Sequence, residues 1–184
     1  MRIITGTLKG RQINIPNTLN VRPTSDRTKE GLFSILDARK YIQNTRVLDL
    51  FAGSGNLGLE AISRGAEKVQ FVDRDRRNLD HIDKVAREFE VEDRVQTVPA
   101  KAERFLDAAP LPYDIIFADP PYDYPLMNEL VANITQGGWL AESGWLILEH
   151  DKRHDFSDNP HFAYYKEYGR THVSIFTEEA GIKF

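Results

Sequence analysis

From Arg46 to the end of the chain, short apolar runs alternate with stretches whose apolar residues recur at helical spacing. The runs are Val47–Leu50, Val69–Val72, Val95–Val98, Ile115–Ala118 and Trp145–Leu148. Each is short and bounded by polar residues, as buried strands are. Between the second and third, Leu79, Ile82, Val85, Ala86 and Phe89 mark one face of a helix. Leu126, Leu130, Val131 and Ile134 do the same between the fourth and fifth. Strand–helix alternation predicts an α/β fold with a mostly parallel sheet covered by helices. Two last runs, Phe162–Tyr165 and Val173–Phe176, flank the turn Tyr168-Gly169-Arg170 and predict an antiparallel hairpin at one edge of the sheet.

The first 45 residues read differently. Residues 2 to 15 alternate weakly around Leu8-Lys9-Gly10-Arg11, which predicts a β-hairpin with a cationic tip presenting Lys9 and Arg11. After Arg22-Pro23, either Thr24 or Ser25 is placed to cap a helix. Its apolar face is Leu32, Phe33, Ile35 and Leu36, with Arg27, Lys29 and Glu30 assigned to the opposite face. The expected organisation is therefore a small hairpin-and-helix extension over 1–45 and a larger α/β domain over 46–184.

A chain of 184 residues with 41% hydrophobic content is long enough for one core and too short for a large second module. There is no cysteine, which excludes a disulfide framework, a thiolate metal site and a cysteine nucleophile. His81, His150, His154, His161 and His172 lack ligand spacing, so no metal is expected. No signal-peptide pattern and no run of about 18 apolar residues occurs, so the expectation is a soluble cytoplasmic protein without a membrane partner. Net charge is −4. Residues 1–46 nevertheless carry nine Lys/Arg against three acids, a local balance of +6. An acidic body with a basic arm is the footprint of phosphate contact, and Lys9, Arg11, Arg22 and Arg27 are the candidates.

The first apolar run leads into Phe51-Ala52-Gly53-Ser54-Gly55-Asn56-Leu57-Gly58, with a helix to follow. Glycine suits a turn with unusual φ and a ligand approaching bare backbone, and a helix N-terminus offers free amides. Gly53, Gly55 and Gly58 have the spacing of a dinucleotide site, a weak signal by itself. Asp73, about 20 residues on at the end of the second run, is where a carboxylate meets ribose hydroxyls, and so points to a nucleoside-containing cofactor. Nicotinamide and S-adenosylmethionine are both open at this point. Asp49, just before the loop, suits a cationic cofactor better than two phosphates, and it can equally accept hydrogen bonds from loop amides.

Residues Asp119-Pro120-Pro121-Tyr122 end the fourth run. An exocyclic amine on a base is a poor nucleophile because its lone pair is delocalised. Asp119 and the Pro120 carbonyl would accept its two hydrogens, Pro121 would stiffen the turn, and Tyr122 would stack on the ring. Asp119, Pro120, Pro121 and Tyr122 are thus the candidate catalytic residues for methyl transfer to a base nitrogen.

With Asp49-Leu50-Phe51-Ala52-Gly53-Ser54-Gly55 and Asp119-Pro120-Pro121-Tyr122 in place, the chain resembles the class I S-adenosylmethionine-dependent amino-methyltransferases with a D/N-P-P-Y/F turn. Gly10-Arg11, Arg22-Pro23-Thr24-Ser25-Asp26-Arg27 up to Phe33, Leu57-Gly58-Leu59-Glu60-Ala61 and Trp139-Leu140 are similar to the bacterial family that methylates N2 of guanine 966 in 16S ribosomal RNA. That resemblance spans essentially the whole chain. It implies a Rossmann-like, seven-stranded sheet and S-adenosylmethionine as donor, with S-adenosylhomocysteine as product. It also implies 16S ribosomal RNA as substrate, in the small subunit or its assembly intermediate. By the same resemblance the cofactor contacts are Asp49, Phe51, Ala52, Gly53, Gly55, Asp73 and Ala102. One position departs from the pattern: Lys101 precedes Ala102 where many relatives have Asn or Asp, and a lysine offers the adenine amine no acceptor. Glu103 or backbone groups would have to serve. The rival readings are an N6-adenine methyltransferase acting on DNA or RNA, a nicotinamide oxidoreductase that leaves the Asp-Pro-Pro-Tyr turn without a role, and an RNA-binding module without catalysis.

Overall fold

The computed structural model describes residues 1–184. Its seven strands are β1 (Arg46–Leu50), β2 (Lys68–Asp73), β3 (Val95–Pro99), β4 (Tyr113–Ala118), β5 (Leu140–His150), β6 (Phe162–Tyr168) and β7 (Thr171–Thr177). The helices are α1 (Asp26–Arg39), α2 (Asn56–Ser63), α3 (Arg76–Glu88), α4 (Ala102–Leu106) and α5 (Met127–Gln136). Every apolar run read as a strand lies within one of the seven strands. They form one sheet in the order β3-β2-β1-β4-β5-β7-β6, with β7 alone running antiparallel to its neighbours. This is the mostly parallel sheet with an antiparallel C-terminal hairpin that the apolar runs predict, in the Rossmann-like, seven-stranded form that the family resemblance implies. The strand order reverses between β1 and β4, so a crevice opens beyond their C-terminal ends. No helix is long and apolar enough to cross a membrane.

Alternation along each strand builds a core on both faces of the sheet. Val47, Ile115, Phe117 and Ile147 point into a layer shared with α1, α2 and α3, whereas Leu48, Ile116, Leu146 and Leu148 meet the layer of α4 and α5. Residues such as these, buried on both faces, are what a parallel sheet requires.

Ile3, Leu8 and Ile13 from the first segment belong to the first of these layers. The segment folds back antiparallel, with Ile3 N donating to Arg11 O at 2.9 Å and Ile13 N to Met1 O at 2.8 Å. Its turn is pinned to the last residue of α2. Thr7 N donates to Ser63 O at 2.8 Å and Leu8 N to Ser63 Oγ at 3.0 Å. A Cβ on Gly6 would lie 1.9 Å from that same carbonyl, so only glycine fits there. The expected free cationic tip is therefore a docked one. Lys9 stays exposed, while Arg11 donates to the Glu88 carbonyl at 2.7 Å and sits 4.6 Å over the Phe89 ring, at the C-terminal end of α3. Since α2 and α3 run back from the crevice, the tip lies at the opposite end of the sheet, roughly 12 Å away by the rise of an eight-residue helix.

Helix α1 starts at Ser25, whose Oγ accepts from Thr28 N at 3.1 Å. Lys29, expected on the exposed face, is buried. Positions 29, 32, 33 and 36 follow helical spacing, so the geometry places Lys29 beside Leu32, Phe33 and Leu36 despite its charge. The ammonium is satisfied internally, 3.1 Å from Glu60 Oε2, with bonds to Asn56 Oδ1 at 2.8 Å and the Arg2 carbonyl at 2.5 Å.

Candidate active site

The loop after β1 turns back within five residues. Phe51, Gly53 and Gly55 all take left-handed φ, at 66°, 54° and 77°, and for Phe51 that conformation is strained. Two carboxylates hold the loop. Asp73 accepts from Gly53 N at 2.8 Å with one oxygen and from Asp75 N at 2.8 Å with the other. Asp49 accepts from Gly58 N at 3.0 Å. The glycines divide by role. A Cβ on Gly55 would lie 2.9 Å from Ile82 Cγ1, and one on Gly58 only 2.3 Å from Phe71 Cε1, so both allow close packing of helices onto the sheet. Gly53 would meet nothing nearer than Val21 Cγ1 at 3.6 Å, so its φ is what demands glycine.

Burial drives the Asp49 carboxyl well above the ordinary carboxylate range, opposed by the Gly58 amide and reinforced by Asp119 and Asp73. A cation bound beside it would favour its ionised form.

The turn after β4 is rigid. Pro120 is buried, and Tyr124 N donates to Pro121 O at 2.9 Å. Asp119 Oδ1 accepts from Arg22 Nη2 at 2.7 Å, and its second oxygen takes no hydrogen bond from the protein. Burial raises the Asp119 carboxyl to about 6, with the Arg22 guanidinium pulling the other way. The same guanidinium lies 4.0 Å over the Tyr122 ring. Tyr122 is fixed at both ends, by Thr171 Oγ1 at 3.2 Å from its hydroxyl and by Arg153 Nη2 donating to its carbonyl at 2.9 Å. The Pro120 carbonyl receives no backbone donor.

Loop and turn face one cavity of about 790 Å³. Its walls include Asp49, Phe51, Ala52, Gly53, Asp73, Ala102 and all four residues Asp119–Tyr122. Gly55 lies behind the wall. Of the four basic candidates only Arg22 lines the cavity; Arg27 is exposed on the first turn of α1, near the wall residue Thr24, and Lys9 and Arg11 are at the far end of the sheet. Burial raises the Tyr124 phenol to about 12, helped by the Glu103 carboxylate, which accepts from its hydroxyl at 3.0 Å. Phe51 and Tyr124 meet edge to face, 5.2 Å between centroids.

Sequence reasoning missed three residues. Asn78 lines the cavity with its Oδ1 buried and unpartnered. Tyr124, two residues past the turn, was legible only as part of an aromatic pair across the cavity. Glu149 follows Leu148, which pairs with Ala118 just as Asp119 follows Ala118, so the two acids end adjacent strands. It is 2% exposed with Oε1 unpartnered. Burial pushes its carboxyl well up, with Asp119 and Asp49 adding and Arg22 opposing.

A buried carboxylate for a positive centre, an unpartnered amide oxygen for a donor, and aromatic walls together fit a flat, cationic nucleoside cofactor such as S-adenosylmethionine. Beside the glycine loop a phosphate would meet the buried Asp49 carboxyl, whereas a sulfonium there would be attracted to it.

The family model described as Conserved hypothetical protein 95 matches residues 1–177. Among curated relatives, ribosomal RNA small subunit methyltransferase D of Buchnera aphidicola is 34% identical over 166 residues, 90% of this chain and 85% of that protein. The Escherichia coli K12 protein of the same name is 35% identical over 149 residues, 81% of this chain and 74% of its own. The solved structure of yhhF from Escherichia coli superposes with a TM-score of 0.85 at 32% identity, covering 98% of both chains.

Proposed function

The chain belongs to the Conserved hypothetical protein 95 family, with ribosomal RNA small subunit methyltransferase D among its relatives, and from that premise we propose that it methylates the exocyclic N2 amine of a guanine in 16S ribosomal RNA. S-adenosylmethionine is the donor in this reading, and the small subunit or its assembly intermediate presents the base. One observation carries the proposal beyond the family. Asp119 has an oxygen without a protein donor and the Pro120 carbonyl has none either, and both belong to the wall of the cavity that Asp49 and the glycine loop also line.

The cofactor supplies an electrophilic methyl group on a sulfonium centre. Asp49, ionised by a sulfonium beside it, would supply buried negative charge on that side, and Phe51, Tyr124 and Asp73 would wall the nucleoside part. On the other side Asp119 and the Pro120 carbonyl accept the two amine hydrogens, which turns the nitrogen lone pair out of conjugation and toward the methyl group. Asp119 then takes the proton the amine loses. Orientation does most of the work here, since a sulfonium is already a good leaving group. Tyr122 is held at its hydroxyl and its carbonyl, so its ring is a prepared stacking surface for a base that has left its helix. Arg22 and Arg27, on the cavity side, are the phosphate contacts nearest the base. Lys9 and Arg11 would reach only RNA that extends along the protein to the far end of the sheet.

The test offers labelled S-adenosylmethionine with small subunits, naked ribosomal RNA and duplex DNA, followed by nucleoside analysis. N2-methylguanosine in the small-subunit RNA is the expected product. N6-methyladenosine would replace this reading with the adenine one.

A further inference from the structure

Arg22 makes the two contacts that the catalytic turn is built to offer a base. Its planar guanidinium directs an N–H to Asp119 Oδ1 at 2.7 Å and lays its face over the Tyr122 ring at 4.0 Å. An amine-bearing purine held by the free oxygen of Asp119 and stacked on the ring face that Arg22 covers would overlap the guanidinium, so the two planar groups cannot share that face. Arg22 comes from the irregular segment before α1, 97 residues from Asp119 in the chain, and its side chain is 45% exposed against 18% for Asp119.

The surroundings explain why a cation rests there. Asp49, Asp119 and Glu149 sit at the C-terminal ends of the neighbouring strands β1, β4 and β5, and all three fall on the sheet face that carries Val47, Phe117 and Ile147. Glu149 has a buried oxygen with no partner. Arg22 is the cation paired with this group. A guanidinium also matches phosphate, to which it donates in bidentate fashion. A flipped nucleotide brings both a planar ring for Tyr122 and flanking phosphates for an arginine.

We propose that Arg22 occupies the base subsite of the free protein and is handed over to a phosphate of the polynucleotide when the base enters. The inference rests on the proposed function, which supplies the base. Arg22 is thereby a positioning residue that couples backbone recognition to opening of the site. A nucleoside alone brings no phosphate and must displace Arg22 unaided. A nucleotide within a chain exchanges one partner of Arg22 for another.

The experiment compares wild type, Arg22→Ala and Arg22→Gln in two measurements: binding of free guanosine to the protein saturated with S-adenosylhomocysteine, and kcat/KM on small subunits. Removing the occupant should tighten guanosine binding about tenfold, since apparent affinity is reduced by the fraction of protein whose site is closed. The same variants should lose roughly tenfold or more in kcat/KM on small subunits, through the lost phosphate contact. Opposite signs on the two ligands are the signature. Weaker binding of both overturns the proposal in favour of a structural or base-contacting Arg22. Unchanged guanosine binding with a loss on subunits overturns it in favour of a plain phosphate contact. The wild-type product decides the underlying reading separately. Should a nucleoside other than N2-methylguanosine accumulate, the function as proposed fails, and its unmethylated parent replaces guanosine in the binding comparison, where the same signs are required.

Discussion

Lys29 Nζ lies 3.1 Å from Glu60 Oε2 with both side chains fully enclosed, and Glu60 also accepts from the backbone of Ile4 and Thr5 at 2.9 and 3.0 Å. This one carboxylate joins the N-terminal segment, α1 and α2. Burial lowers the Lys29 ammonium from its ordinary range, and Glu60 opposes that shift. Removing Glu60 leaves the Lys29 charge buried and without its carboxylate, which costs about 3–5 kcal/mol, whereas removing Lys29 leaves Glu60 paired with Arg64 Nε at 3.0 Å. Glu60→Ala should lose that much in urea unfolding and Lys29→Met less, and the two replacements combined should cost less than the sum of the singles. Additive losses would refute the coupling.

Asp119→Ala should reduce turnover by about 10²-fold or more, the scale of a lost orienting and proton-accepting group. The dissociation constant for S-adenosylhomocysteine, measured by calorimetry, should stay within a few fold, because Asp49, Phe51 and Asp73 remain. Comparable losses in both would move Asp119 to the cofactor side.

The pH profile derives from the Asp119 carboxyl near 6. In the proposed reaction its ionised form accepts the amine hydrogen, so kcat/KM should fall tenfold per unit below about pH 6. Arg22 holds the carboxyl down, and Arg22→Ala should therefore shift the acid limb to higher pH. Stability has the opposite dependence. The folded carboxyl binds a proton more readily than the unfolded one at 3.8, so this group's contribution to stability rises as pH falls from about 6 towards 4. An acid limb unmoved in Arg22→Ala would contradict the assignment.

Gly58→Ala places a Cβ 2.3 Å from Phe71 Cε1 and 2.9 Å from Val69 Cγ1, at the contact between α2 and β2. Overpacking of this kind costs about 1–3 kcal/mol. Denaturant titration should show that loss, with cofactor affinity changed only as far as the loop shifts. A variant of wild-type stability with much weaker cofactor binding would make Gly58 a ligand contact.

Salt dependence separates the basic residues by position. Arg27 is exposed at the cavity end and Lys9 at the far end of the sheet. Arg27→Gln should lower the slope of log K against log salt for small-subunit binding by about 1, and Lys9→Gln by less. The reverse order would place the main RNA track along the hairpin.

The strands, the glycine loop and the Asp-Pro-Pro-Tyr turn were legible in the sequence because each depends on neighbours only a few residues away. Apolar runs of strand length specify Val47–Leu50 or Ile115–Ala118 locally. A parallel sheet then brings the C-terminal ends of β1, β2 and β4 to one edge, so Asp49, Asp73 and Asp119 could be expected in a common site before any coordinates. Family resemblance added the substrate.

The tertiary structure alone decided what depends on distant partners. Helical spacing at 29, 32, 33 and 36 was present in the sequence, yet only Glu60 and Asn56 on another helix make a buried lysine tolerable there. Net positive charge put Arg11 and Arg22 together in one arm. Docking of the hairpin on Ser63 and Glu88 sends Arg11 to one end of the sheet, while Arg22 reaches Asp119 at the other. Local periodicity determines which residues share a face. Which faces and charges meet depends on packing between segments far apart in the chain, and no pattern of a few residues encodes that choice.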